Sequence, residues 1–237
     1  MDLEMTEETP PTYSALPLPD RRDLADDRML EEARGFHRLM STRHSVRDFT
    51  DQPVPRDVIM ACIAAAGLAP SGANQQPWHF VAISDPAMKA RVREAAEEEE
   101  RRFYDGGGGD EWLAALEPIG TNADKPHLTT APWLIVIFAQ RWGMRNGEKV
   151  KHYYVPESVG IATGMLITAL HTAGLSCLTH TPNPMKFLNA MCDRPEAEKP
   201  VMILTVGHPA AHATVPAVAK KKKPLGEILT MMEGDAT

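Results

Sequence analysis

The chain has 237 residues, 43% of them hydrophobic and 24% charged, with a net charge of −7. A chain of this length buries a sizeable core as one medium domain, and its acidic balance gives no overall attraction to nucleic acid or to anionic membrane. Cys62, Cys177 and Cys192 are too few and too scattered for a disulfide framework or a zinc site, and read as reduced thiols of a cytoplasmic protein.

Residues 1–22 contain Pro10, Pro11, Pro17 and Pro19 and read as a flexible arm ahead of a single domain over 23–237. The arm has no positive segment followed by an apolar run, so it does not read as a secretory signal. Helical spacing predicts helices over 24–40 and 56–68, where Val58, Ile59, Cys62, Ile63 and Ala66 share a face. The loop Pro70-Ser71-Gly72-Ala73-Asn74-Gln75-Gln76-Pro77 closes the second and leads into a strand over 78–83. A highly charged helix over 86–104 follows, ended by Gly106 to Gly109.

Residues 133–139 are apolar throughout and predict a strand buried on both faces. The apolar stretch 159–175 contains Gly160, Thr163, Gly164, Thr168, His171 and Gly174, too polar and too short for a membrane span. It predicts a buried helix over 157–173 with Gly174 as its cap. Strands at 176–181 and 201–206 flank a short helix at 185–191, and a last helix is expected at 225–232, after the basic run Lys220 to Lys223. Strands and helices alternate irregularly, which predicts an α+β fold with a mixed central sheet flanked by helices.

Arg43 and Arg47 stand four apart around Ser45. On a helix both would project from one side, and guanidinium forks with a serine hydroxyl suit a phosphate. Two solvated arginines paired with Asp48 or Asp51 are the plain alternative. The 70–77 loop offers main-chain donors to a planar ligand, and Lys222 with its neighbours offers a further cation.

Arg43-His44-Ser45-Val46-Arg47 followed by Pro70-Ser71-Gly72-Ala73-Asn74-Gln75-Gln76-Pro77-Trp78 resembles the opening signature of the nitroreductase-type flavoproteins. Within that superfamily, Asp110-Glu111-Trp112-Leu113, Lys125-Pro126, Thr179-His180-Thr181-Pro182 and Lys223-Pro224-Leu225 look most like the iodotyrosine deiodinase group. The resemblance runs over about residues 36–232. It implies an intertwined homodimer with FMN at the subunit interface. Arg43, His44, Ser45, Val46 and Arg47, with Ser71 nearby, would hold the phosphate and flavin edge. Thr179, His180 and Thr181 would face the flavin, with the Thr181 hydroxyl near N5 in a catalytic role, and Lys222 would complete the phosphate site. His44 and Lys222 stand where arginine is usual, and each loses a bidentate fork.

The resemblance also implies a substrate lid over about 95–127, with Glu100 on the α-ammonium and Lys125 on the α-carboxylate of a halotyrosine. Tyr104, four residues after Glu100, would add a hydrogen bond, and the Ala73 N–H would meet the phenolate. At least two of Glu97 to Glu100 are expected on a solvated helix face. The implied reaction is reductive dehalogenation of a substrate such as 3-iodotyrosine. A broad nitroreductase or quinone reductase shares the flavin signature without needing the clamp, and a halotyrosine binder with little turnover is a third reading. The histidines lack metal-ligand spacing, so no metal is expected. The chain carries no GxGxxG fingerprint, so NAD(P)H binding transiently, or a partner reductase, would supply electrons.

Overall fold

The computed structural model describes residues 13–145 and 147–234. Of the expected arm, residues 1–12 lie outside them. The fold is organised by one strand, β2 (Trp133–Gln140), whose residues from Leu134 to Phe138 are fully buried. Alternation along a strand sends successive side chains to opposite faces. Ile135, Ile137 and Ala139 accordingly join Ile59, Ala66, Leu166 and Leu170 in one core cluster. Leu134, Val136 and Phe138 join Val92, Leu128, Leu188 and Ile203 in another.

The strands β1 (Trp78–Ile83), β5 (Ser176–His180) and β6 (Glu198–Gly207) complete a sheet in the order β1-β2-β6-β5. All three pairings are antiparallel. The mixed character expected of the sheet is confined to one parallel bridge, Ser45 with Cys177 at the β5 edge. Helices α2 (Arg56–Gly67) and α6 (Val155–Thr172) cover one face. On the other lie α3 (Pro86–Arg102), α5 (His127–Thr130) and α7 (Phe187–Met191). Two short helices, α4 (Asp110–Leu116) and α8 (Leu225–Ile228), and a hairpin of β3 (Trp142–Arg145) with β4 (Glu148–Lys151) lie outside these layers.

α1 (Asp26–Ser41) buries none of its residues; Met29, Leu30 and Phe36 are exposed. At the end of α6, Gly174 has φ +80 and its N–H donates to the His171 carbonyl, as the expected cap requires. Among the described residues, no helix is long and apolar enough to cross a membrane.

Residues 43–47 are not helical, so the condition for a shared helix side is not met; the Ser45 bridge and the Val46 N–H to the Cys177 carbonyl tie them to the edge of β5. Two expectations change. The charged helix stops at Arg102, where a wider π-type turn, Phe103–Gly107, takes over. The helix expected over 225–232 is a single turn at Leu225–Ile228.

Candidate active site

The cavity of interest, about 250 Å³, opens between the end of α3, the turn and helix that follow it, and the C-terminal end of β5. Asp85 caps α3 by accepting from the Met88 N–H at 2.7 Å. From there Lys89, Arg93, Glu97, Glu100 and Tyr104 recur at three- and four-residue intervals, which is one stripe of a helix surface. The stripe faces residues 121–131. Past Arg102 the chain turns through Gly106, with φ +114, and packs Gly108 against the Phe103 ring, where a Cβ would come within 2.6 Å of ring carbons. Trp112 of α4 meets Phe103 edge-on at 4.9 Å. Within the glycine run, Gly107 and Gly108 are closely packed while Gly106 and Gly109 have open space where a Cβ would sit.

Glu100 and Lys125 meet at the cavity wall. Lys125 Nζ lies 3.0 Å from Glu100 Oε2, with the two side chains 5% and 14% exposed. The ammonium also donates to Thr121 Oγ1 at 3.1 Å and sits 5.7 Å from the centre of the Tyr104 ring. At such burial each charge needs the other, since removing one partner of a buried pair costs about 3–5 kcal/mol.

His180 Nε2 is 3.9 Å from Glu100 Oε1, too far for a hydrogen bond. Burial, with His127, Lys125 and Arg47 nearby, lowers His180 to about 3, so the ring is neutral and Lys125 alone balances Glu100. Burial and the same cations lower His127 to about 4. Both rings leave Nε2 without a hydrogen-bond partner.

Behind the pair, Glu97 Oε1 accepts from the Lys125 N–H at 2.8 Å and from Arg93 Nε at 2.6 Å. Burial opposes ionisation of Glu97, but the Lys125 N–H and Arg93 outweigh it, and the carboxyl titrates below its usual range. Of the four neighbouring glutamates only Glu98 is fully on the solvated face; Glu99 and Glu100 line the cavity.

Thr179 and Thr181 are exposed at the end of β5 while His180 between them is buried, the alternation of a strand. All three line the cavity, as does Arg47. Val46 is buried with Phe49, Ala131 and Leu178, and its N–H is taken by Cys177, which leaves neither its side chain nor its N–H for a ligand.

Near Arg43, the side chain that meets His44 is Lys220, with Nζ 3.3 Å from Nε2; Lys222 is exposed beside them. Among the described residues, none of Arg43, Arg47, Lys220 and Lys222 pairs with a carboxylate, so the pairing with Asp48 or Asp51 does not form. Among those residues, too, no group of His, Cys, Asp or Glu is arranged to hold a metal ion.

The 70–77 loop is not part of this cavity wall. Ala73 is exposed with φ 50, and Asn74 and Gln76 share the left-handed region. The Ser71 hydroxyl accepts from the Gln76 N–H at 2.9 Å, and Gln75 holds Tyr153 N–H and Lys151 C=O at 2.7 and 3.1 Å. Gly72 is pressed against the Tyr153 carbonyl, 2.8 Å from where a Cβ would sit, so its close approach serves the protein's own main chain. The structure thus gathers Arg47, Glu100, Tyr104, Lys125, Thr179, His180 and Thr181 in one place. It sets Arg43, His44 and Lys222 at a second, and Ser71 and Ala73 at a third. Glu97, Trp112 and His127 are site residues that the sequence reading does not single out; the four-residue spacing of Glu97 from Arg93 is the signal for the first.

The nitroreductase family model matches residues 40–208. An iodotyrosine deiodinase of Haliscomenobacter hydrossis is 46% identical over 198 residues, 83% of this chain and 89% of that protein. Iodotyrosine deiodinase 1 of Homo sapiens is 43% identical over 85% of this chain and 70% of its own length. A crystal structure of oxidized iodotyrosine deiodinase bound to FMN and 3-iodo-L-tyrosine superposes with a TM-score of 0.66 at 28% identity, over 85% of this chain and 99% of that one. The chain belongs to the nitroreductase family, in the branch that holds the iodotyrosine deiodinases.

Proposed function

We propose that this protein reductively dehalogenates a halotyrosine such as 3-iodotyrosine, using FMN held between two copies of the chain. The observation that carries this reading is a half-buried carboxylate and a buried ammonium, Glu100 and Lys125, facing each other in a cavity lined by Tyr104, Thr179 and Thr181. An amino-acid zwitterion brings the two opposite charges, so it separates the pair without leaving either group unmatched. A nitroaromatic or quinone offers no such exchange.

The residues fit FMN. Arg43, Arg47, Lys220 and Lys222 have no carboxylate partner among the described residues, and with His44 and Ser45 they would hold its phosphate. Thr179 and Thr181 are exposed, and in this reading the Thr181 hydroxyl would stand near the flavin N5. Two electrons from reduced FMN and one proton convert the carbon–halogen bond to carbon–hydrogen and release halide. The chain's own part is to bind and orient the substrate. Glu100 takes the ammonium, Lys125 the carboxylate and Tyr104 a further hydrogen bond. Phe103, Trp112, Leu116 and Ile119 keep water from the ring. NAD(P)H or a partner reductase supplies the electrons, and three free thiols support a reducing, cytoplasmic setting.

A second copy completes the site in this reading. Tyr13, Leu16, Leu18, Met29, Phe36, Ile161, Leu225 and Ile228 are among the exposed apolar side chains. The exposed Ala73 N–H of one copy would then serve the phenolate in the cavity of the other.

Mixing the anaerobically reduced, FMN-loaded protein with 3-iodotyrosine is expected to reoxidise the flavin and yield tyrosine and iodide. Reoxidation by a nitroaromatic alone would contradict the proposal in favour of a broad reductase. Glu100→Gln is expected to weaken 3-iodotyrosine binding by about tenfold or more while FMN stays bound; unchanged affinity would remove the clamp.

Burial, together with Lys220, Arg43, Lys222 and His171, holds His44 below its usual value, so it is neutral at neutral pH. A phosphate favours its protonated form, so this contact tightens as pH falls. The FMN dissociation constant of the unsubstituted protein, divided by that of His44→Arg, should shrink from about pH 8 to about pH 6. The division cancels titration of the phosphate itself. A ratio independent of pH would place His44 away from it.

A further inference from the structure

Lys125 stands on an irregular segment between the turn that ends at Ile119 and helix α5. Within the segment, the ammonium tip donates to Thr121 Oγ1 at 3.1 Å, but the stem leaves a stretch of backbone that no helix or strand holds. The restraints on that backbone come from α3. The Lys125 N–H donates to Glu97 Oε1 at 2.8 Å, and Arg93 Nε donates to the same oxygen at 2.6 Å. Arg93 reaches onward to Asp124 Oδ1 at 2.7 Å and Thr129 Oγ1 at 3.2 Å. Lys89, itself buried, donates to the carbonyls of Thr129 and Ala131 at 3.1 and 2.7 Å. The chain on both sides of Lys125 is therefore tied to a single helix.

That helix also carries Glu100, one turn beyond Glu97. An ordinary helix pair spaced four apart keeps both partners in solvent and touches nothing else. Glu97 differs, with its side chain only 16% exposed and its carboxylate shared with the main chain of another segment. We infer that Glu97 is a positioning residue: it sets where Lys125 stands relative to Glu100, and so the separation of charges that the lid accepts. The inference rests on the halotyrosine reading above and adds a residue through which that site measures its substrate.

The consequence is specific. Loss of Glu97 loosens the carboxylate half of the clamp and leaves Glu100, Tyr104 and the cation cluster near His44 as they are. The measured quantity is the dissociation constant of 3-iodotyramine, which lacks the carboxylate, divided by that of 3-iodotyrosine, on the oxidised FMN-loaded protein. Glu97→Ala is expected to reduce this ratio by about tenfold, by weakening 3-iodotyrosine alone, with FMN affinity unchanged. Glu97→Gln keeps an acceptor for the Lys125 N–H and should retain most of the ratio. Arg93→Met, which frees Glu97 from its anchor, should reduce it in the same direction and gives the same reading if Glu97→Ala does not accumulate. A ratio unchanged in Glu97→Ala, or both ligands weakened equally, would overturn the inference and leave Glu97 a structural residue of α3. If the unsubstituted protein binds both ligands equally, the clamp itself fails, and the role of Glu97 fails with it.

Discussion

The ion pair between Glu100 and Lys125 is the constraint on which the site depends. Two charges held at 3.0 Å with side chains 5% and 14% exposed are costly to bring out of water, and they stay favourable only while each is answered by the other or by an equivalent. Around them the protein provides little else of opposite charge. Burial, with His127, Lys125 and Arg47 nearby, lowers His180 to about 3, so its ring adds no charge at neutral pH. A ligand that separates the pair must supply both signs or leave one group stranded.

The rest of the fold serves that geometry. β2 is buried on both faces and fixes the sheet between two layers of helices. β6 and then β5 pair outward from it, which brings Thr179, His180 and Thr181 to the edge. Residues 43–47 lie against that same edge through the Ser45 bridge to Cys177. Arg43, Ser45 and Arg47 are thereby set beside the strand whose end forms the cavity. On the opposite layer α3 carries one acidic and basic stripe that anchors the Lys125 segment before its tip reaches the cavity. Site and scaffold are continuous along that helix.

Much of this was legible in the sequence because the controlling signals are local. The uninterrupted apolar run around Ile135 to Phe138 marks a strand with no solvent face, and Gly174 marks the end of α6 through the positive φ that only glycine adopts easily. The β3–β4 hairpin was not read, since Trp142–Lys151 lacks an apolar alternation; Asn146-Gly147 in the sequence is the turn signal that would have found it. The four-residue spacing of Arg43 and Arg47 left the form of 43–47 open, and a long-range bridge to Cys177 decides it. No spacing rule encodes such a contact. Glu97 was hidden for a similar reason: its chemistry depends on an N–H 28 residues away in the chain. Lys222 was read correctly as part of a basic run, but only the folded chain distinguishes it from Lys220 at His44.

The most direct test of the charge-exchange account is a crystal structure of the FMN-loaded protein with 3-iodotyrosine. The account predicts Glu100 on the ammonium and Lys125 on the carboxylate, with their own contact broken and the Glu97 bond to the Lys125 N–H retained. A halotyrosine bound while Lys125 Nζ remains 3.0 Å from Glu100 Oε2 would contradict it.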